Sequence, residues 1–564
     1  MTSSTQLARL VVDELVRHGV HDAVLAPGSR SAPLALALHA ADSAGRLRLH
    51  VRVDERTAGF LALGLARGAR APVPVVTTSG SAVAHLHPAV LEAHHSGVPV
   101  LVLSADRPAA LRDTGANQTT DQSRLFGAAV RHQADVPAGA GAAPEAWRAL
   151  VSRAVAAATG ALTGDPGPVH VNLCFAEPLL PAGDPTDDPP PGRPDGAPWT
   201  RLPQRPPPAP VTLEPGPRTV VVAGADSESP ARVLAEQADW PLLAESTSGA
   251  RTGTHPLRSH RLLLGHRPLV DRVQRVVVFG RPTLSRPVTR LLSSPAVEVV
   301  VCADRMPWPD PGHRAAAVHP AVRSAPSDPG WRALWSRLDA AVSSSVDAVL
   351  DEARAALAPG TLLAHDVARA VATALPDRGL LVVGSSHPVR DLDLVAPSPA
   401  VGGRRLVLAN RGLSGIDGTL STAVGAALAR PSSRALAYVG DLTFLHDLNG
   451  LLLGPDEPRP DLTVVVADDD GGSIFSVLEQ GAPEYAAAFE RVFGTPTGAD
   501  LAAACAVSGT PHRRAGDRDA LAAALATPAG GIEVVQARVD RTGRRALEQR
   551  LGEAAHAVLA NLLA

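Results

Sequence analysis

Three consecutive aspartates, Asp468, Asp469 and Asp470, follow the aliphatic run LTVVVA and lead into Gly471 and Gly472. Carboxylates this crowded repel one another, so the run is either a solvated turn or one wall of a cation site. A second acid stands in the same position relative to an apolar run: Gly440 and Asp441 follow ALAYV, with Asp441 28 residues ahead of Asp469. Two carboxylates at two strand ends can share one hard cation and leave the rest of its shell to phosphate oxygens. Magnesium, octahedral with oxygen ligands near ~2.1 Å, suits that arrangement best. The alternative is a helix cap at Asp441 and a polar turn at 468–470.

The elements that would carry such residues can be read along the chain. Short apolar runs end in polar or glycine turns and are followed by helix-period segments. DAVLAPG, LHVRVDE, PVPVVTTSG, VPVLVLSADRP and PVHVNL are the strands of a first segment, RTVVVAGAD, RVVVFG and VEVVVCAD of a second, and GLLVVGSS, ALAYVGD, LTVVVADDD and IEVVQARV of a third. This alternation predicts an α/β protein of three consecutive units, each a parallel sheet covered by helices. The boundaries fall at 1–182, a proline-rich linker at 183–217 expected to lack regular structure, 218–357 and 358–564. Ligands of such sheets gather beyond the carboxyl ends of the strands, where both acidic motifs lie. The final RRALEQRLGEAAHAVLANLLA reads as an amphipathic packing helix.

Composition excludes several classes. The 564 residues are 45% apolar with a net charge of −3, which gives no basic field for nucleic acid and no polybasic patch for a membrane. No run is apolar enough to span a bilayer, and the first twenty residues lack the apolar core of a signal peptide, so a cytoplasmic location is expected. Cys174, Cys302 and Cys505 match no metal spacing. The chain contains no lysine, and all 53 basic residues are arginines. That removes Schiff-base chemistry, the lysine-dependent phosphate loop and lysine-tethered carriers. Arginine forks read carboxylates and phosphates, so small anionic substrates remain. His85, His87, His94 and His95 cluster after TTSG but lack a further strand-end ligand for a metal.

The Gly-Asp pair, the acid 28 residues on and the glycine two further resemble the cofactor motif of thiamine-diphosphate enzymes. That resemblance implies metal ligation by the side chains of Asp441 and Asp469 and the backbone carbonyl of Gly471, with Gly440 also at the cofactor. The usual motif reads Gly-Asp-Gly and ends in paired asparagines, whereas this chain has Leu442 and three aspartates, a more negative site that needs its metal more strictly. Asp468 and Asp470 are expected to face water or cap the next helix. A thiamine cofactor also requires a carboxylate against its aminopyrimidine ring. Glu55, after LHVRV in VDERTAGF, is the candidate, its pKa raised by a water-poor pocket; its other reading is a helix cap.

Longer stretches are more specific. APGSRSAPLALAL, DERTAGFLALGLARGA, VTTSGSAVAHLHPAVLEAHHSGVPVLVLSADRPAALRDTGANQTTDQ, NRGLSGIDGTLSTAVG, GDLTFLHDLNGL and GGSIFSVLEQ resemble, in order and spacing, the 2-succinyl-5-enolpyruvyl-6-hydroxy-3-cyclohexene-1-carboxylate synthases of menaquinone biosynthesis. The resemblance implies pyrimidine-binding and diphosphate-binding domains flanking a Rossmann-like one. It implies decarboxylation of 2-oxoglutarate on thiamine diphosphate with magnesium or manganese, then 1,4-addition of the four-carbon carbanion to isochorismate. Glu55, Gln118, Arg390 and Arg411 would be catalytic, and Ser386 would contact the cofactor. Ser29, Arg30, Arg107, Gln118, Arg286, Arg390 and Arg411 would bind the dicarboxylates, Arg30 at the start of a helix. Ile416 would prop the cofactor in its bent shape, while Ile474 and Phe475 would wall the substrate side. The same family implies a homo-oligomer, dimer or tetramer, whose active sites are shared between two chains. The alternatives are another thiamine-diphosphate decarboxylase or carboligase, and a noncatalytic dinucleotide-binding relative, although no G-x-G-x-x-G follows a strand.

Overall fold

The computed structural model describes residues 3–138, 143–181 and 190–564. Three large sheets, each parallel throughout, account for the apolar runs. The first has six strands in the spatial order Arg48–Val51, Asp22–Leu25, Val73–Thr77, Val100–Asp106, Val169–Cys174 and His132–Val136. The second runs Ala315–His319, Glu298–Cys302, Arg275–Phe279, Thr219–Ala223 and Leu242–Ala244. The third runs Leu406–Leu408, Leu380–Val383, Ala435–Gly440, Leu462–Asp468, Ile532–Arg538 and His512–Ala515. The fold class is thus the expected helix-covered parallel α/β.

All three sheets share one winding. The second strand in sequence lies on one side of the first and the third strand on the other, so the chain changes direction between first and third. At such a switch the connections diverge and leave a crevice beyond the strand ends. In the first sheet Ser29, Arg30, Ser79 and Gly80 follow the two strands at the switch. In the third, Ser386 and Asp441 do so.

The chain forms two compact units. One is built on the first sheet and also takes in Gly412–Ser432 and His446–Pro460, which in sequence belong to the third segment. The reason is a close helix crossing, Thr419–Leu428 against Glu55–Ala69. A Cβ on Gly64 would stand 2.2 Å from the Thr422 carbonyl oxygen, and one on Gly425 would stand 2.3 Å from that of Leu61. Only glycine at both positions lets the two backbones touch.

The other unit is built on the second and third sheets. Its longest helix, Pro329–Ala355, buries the stripe Trp331, Trp335, Leu338, Val342, Val346 and Leu350. It packs on the C-terminal helix Arg544–Leu563, which buries Leu547, Leu551, Ala555 and Leu559 at matching helical spacing. Each fully buried leucine in that seam contributes roughly 1.5–3 kcal/mol. In the proline-rich stretch, residues 183–189 lie outside the described residues, and the expectation of no regular structure fails at one point. Val211–Leu213, free of proline, pairs with Val322–Ser324.

Candidate active site

Gly440 and Ala467 are register partners on the two central strands of the third sheet, so Asp441 and Asp469 leave neighbouring strand ends. Asp441 opens the helix Asp441–His446 and is buried. Burial first, then the charges of Asp469 and Asp468, push its carboxyl up to about 8. Burial also raises Asp469 to about 6, against the pull of Ser473, Arg541 and Arg544. Without a cation this pair cannot comfortably hold two negative charges. The Gly471 N–H donates to Asp441 Oδ2 at 2.8 Å, tying the loop after one strand to the acid after the other. Gly471 has φ +148°, and a Cβ there would meet the Gly494 carbonyl oxygen at 2.3 Å.

The other two aspartates do different work. Asp468 Oδ2 accepts from Gln536 Nε2 at 2.5 Å. Asp470 Oδ1 accepts from the backbone N–H groups of Thr497 and Gly498 at 3.1 and 2.9 Å, so it pins a distant loop instead of capping the next helix. The residues fit a divalent cation carrying a diphosphate. Two hard oxygen ligands short of positive charge face one crevice, and beside Gly471 the buried Nη1 of Arg541 has no hydrogen-bond partner.

After the strand Leu380–Val383 the chain turns through Ser386 into the helix His387–Val395. Ser386 is held at φ 76°, ψ −140°, a conformation that strains any residue but glycine. Its carbonyl accepts from Arg390 Nη1 at 2.7 Å. Arg390 is pushed down to about 10, chiefly by burial and then by the positive charges of Arg411 and Arg261. Arg411 is itself buried and donates through Nη2 to Thr283 Oγ1 at 2.8 Å. Two crowded, partly dehydrated guanidiniums welcome a carboxylate. The helix carrying Arg390 is clamped by a buried ion network in which Arg544 Nη2 donates to Asp391 Oδ1 at 2.5 Å and to Glu548 Oε1 at 2.7 Å.

Ile474 and Phe475 lie half-buried in the turn Ser473–Val477. Arg286 is an exposed partner of Glu479, with Nη1–Oε1 at 2.6 Å and Nη2–Oε2 at 3.1 Å. Its fork is already filled, and any substrate carboxylate would have to displace Glu479.

In the first-sheet unit, Arg107 Nη1 donates to Ser79 Oγ at 2.5 Å and to the Gln118 carbonyl at 2.6 Å, while Gln118 Nε2 donates to the Ser79 carbonyl at 2.9 Å. Arg30 is near enough to add to the depression of Arg107's pKa that burial begins, so Arg30, Arg107 and Gln118 share one corner. Ser29 is exposed beside them. Arg30 does not begin the helix as expected. It lies in the preceding turn, with Ser31 as cap of the helix Ala32–Ser43, because proline at the second helical position sets the start later.

Glu55 is the first residue of its helix, and the capping is done by Asp54, which accepts from the N–H of Arg56 at 2.9 Å. Within one chain Glu55 is half-buried, and its neighbour Val53 is 75% exposed, so the water-poor pocket expected around it is not formed by this unit alone. Ile416 is half-buried in the turn before Thr419–Leu428; the carboxylate of Glu92 holds that turn by accepting from the N–H groups of Gly412 and Leu413, both at 2.8 Å. His94 is engaged by Arg131 Nη1 at 2.6 Å and His87 packs on Phe126, an arrangement of ordinary contacts. Asp391, Arg544 and Glu548, a buried ion network, and Glu92, which holds backbone N–H groups, escaped sequence reading because such contacts leave no periodic or spacing signal.

Residues 5–125 match the family model described as thiamine pyrophosphate enzyme, N-terminal TPP binding domain. Together with the strand-end acids this defines a thiamine pyrophosphate enzyme. Curated relatives narrow the class further. A protein of a Nocardioides species is 52% identical, with 97% of each chain covered. One from Kineococcus radiotolerans is 50% identical over 99% of this chain and all of its own, and one from Rhodococcus erythropolis is 48% identical over 97% and 98%. All three are named 2-succinyl-5-enolpyruvyl-6-hydroxy-3-cyclohexene-1-carboxylate synthase. The chain belongs to that family.

Proposed function

We propose that this chain decarboxylates 2-oxoglutarate on thiamine diphosphate and adds the resulting four-carbon unit to isochorismate by 1,4-addition, a step of menaquinone biosynthesis. The observation that carries this reading is the pair of half-buried Arg390 and buried Arg411, an anion seat in the same unit as the strand-end acids Asp441 and Asp469. A donor with a second carboxylate can use that seat, whereas pyruvate has nothing to place there.

Thiamine diphosphate, when bound, would supply a nucleophilic carbon and an electron sink for decarboxylation. Asp441, Asp469 and the Gly471 carbonyl would hold magnesium, or manganese in its place, and through it the diphosphate. Ser386 and Ile416 would position the cofactor. The Glu55 carboxyl would exchange a proton with a nitrogen of the aminopyrimidine ring. Arg30, Arg107 and Gln118 would orient one dicarboxylate with Ser29, and Arg390 and Arg411 the other. Ile474 and Phe475 would keep water from the reacting carbon, and Arg286 would bind a substrate carboxylate once released from Glu479.

The half-buried Glu55 and exposed Val53 favour a homo-oligomer in which a second copy closes over Glu55. The three-segment partition, with the pyrimidine site at 1–182 and the diphosphate site at 358–564, is part of the same reading. Among the described residues no helix is long and apolar enough to cross a membrane. We place the enzyme in the cytoplasm.

The test is carbon dioxide release from 2-oxoglutarate by the purified protein, with magnesium and thiamine diphosphate, and the mass of the adduct formed with isochorismate. Adduct formation that stops when the cofactor is withheld is the expected result. Absence of carbon dioxide release with all components present would refute the reading.

A further inference from the structure

Glu245 follows the edge strand Leu242–Ala244 of the second sheet and is fully enclosed. Its Oε1 accepts from the Leu284 N–H at 2.9 Å, while Oε2 is buried without a hydrogen-bond partner. The groups that act on its charge are Asp393, Arg411 and Arg390. Burial dominates, with Asp393 adding to it, and the carboxyl is pushed up to about 8 against the two arginines. A buried acid with one unpartnered oxygen, close enough to Arg390 and Arg411 to feel both charges, is costly to keep unless it serves the site.

Its hydrogen bond shows what it serves. Leu284 lies in the loop 281–285, whose Thr283 accepts from Arg411 and which runs into the helix Arg286–Leu292, where Arg286 is forked to Glu479. Glu479 closely follows the turn of Ile474 and Phe475. This loop therefore touches Arg411 at one point and, through Arg286, reaches Glu479 just past the turn of Ile474 and Phe475. Between these points it is fastened inward by Glu245 alone among the side-chain acceptors of the described residues.

We infer that Glu245 is a positioning residue: it fastens Leu284 so that Thr283 holds Arg411 aimed at the substrate carboxylate. The role rests on the function proposed above. It concerns how the dicarboxylate is seated, and the cofactor is untouched by it. In its protonated form Glu245 fastens the loop without adding a negative charge beside Arg390 and Arg411.

The test uses the full chain with cofactor and metal, and compares Glu245→Gln, Glu245→Ala, Thr283→Val and the double variant Glu245→Ala/Thr283→Val. Glu245→Ala should raise KM for at least one of the two dicarboxylates about tenfold, with kcat within about threefold and thiamine diphosphate affinity unchanged. Thr283→Val should raise the same KM, and the double variant should be no worse than the weaker single variant, because both act through one contact. Glu245→Gln, whose amide oxygen still accepts from Leu284, should restore KM to within about threefold of the parent. Should Glu245→Ala fail to fold, Glu245→Asp, which withdraws the carboxyl by one methylene, takes its place with the same expectation. Effects of the two sites that multiply, a Glu245→Gln variant as impaired as Glu245→Ala, or a matching loss of cofactor affinity would each overturn the inference. A parent protein that releases no carbon dioxide from 2-oxoglutarate would sink the proposed function and this role together. An active parent with an unaltered Glu245→Ala would sink this role alone.

Discussion

The backbone N–H of Gly471 donates to Asp441 Oδ2 at 2.8 Å, so an acid at one strand end holds the loop that leaves the next strand. This contact sorts the three neighbouring aspartates. Asp469 shares the crevice with Asp441, whereas Asp468 and Asp470 are spent on Gln536 and on the 497–498 backbone. Replacing Asp469 with Ala should abolish metal-dependent retention of thiamine diphosphate. Asp468→Ala and Asp470→Ala should each cost about 1 kcal/mol of stability and leave retention largely intact. Gel filtration followed by cofactor assay decides; equal losses at all three positions would remove Asp469 from the metal.

Gly471 offers a backbone test of the same crevice. With φ +148° and the Gly494 carbonyl 2.3 Å from where a Cβ would sit, Gly471→Ala should cost about 2 kcal/mol or more and displace the Asp441 contact. Lowered thermal stability together with loss of the cofactor is the expected pair of results. A variant that melts with the parent and keeps its cofactor would contradict the geometry.

Part of this arrangement is legible in the sequence. Central strands such as TVVVA and LTVVVAD are buried on both faces and read as unbroken apolar runs, which is why the acids following them could be placed. The strands of the three large sheets that escaped, His132–Val136, Leu242–Ala244, Ala315–His319, Leu406–Leu408 and His512–Ala515, are all sheet edges. An edge strand pairs on one side only and is short or polar, so its sequence resembles a loop. The allegiance of Thr419–Leu428 to the first sheet was hidden too, because it depends on Gly64 and Gly425 meeting across hundreds of intervening residues. Glu245 lies after a three-residue edge strand and gave no signal at all.

The anion seat predicts a specific loss. Arg390→Ala or Arg411→Ala should weaken use of the dicarboxylates by about 1.5–3 kcal/mol each, the range for hydrogen bonds to a charged group. That is roughly a ten- to 150-fold fall in kcat/KM, with cofactor affinity little changed. Steady-state kinetics against titrated cofactor separates the two effects.

Acid should reveal the buried network behind Arg390. Arg544, then Arg261 and His365, outweigh burial and hold the Glu548 carboxyl down to about 2 from 4.5. A folded-state value below the unfolded one adds stability above about pH 4.5 that is lost as pH falls towards 2. Between pH 6 and 3.5 the parent should lose about 1 kcal/mol more in denaturant titrations than Glu548→Gln, which has no such proton to take up. Parallel curves would exclude Glu548 as a charged partner of Arg544.

The proposed sharing of the active site between two chains has its own test. Glu55→Gln and Asp441→Ala proteins, each inactive, are unfolded together and refolded as a mixture. In an isologous dimer the mixed species pairs both damaged halves in one site and leaves the other intact, so activity should return. A mixture shown by mass to contain mixed dimers, yet still inactive, would place Glu55 opposite the aspartates of its own chain.

A thiamine-diphosphate enzyme that selects a dicarboxylate donor is tested most directly by a comparison of donors. With isochorismate, magnesium and thiamine diphosphate present, the parent protein should release carbon dioxide from 2-oxoglutarate far faster than from pyruvate and form an adduct of the mass expected for the four-carbon unit. Pyruvate serving as well as 2-oxoglutarate would contradict it.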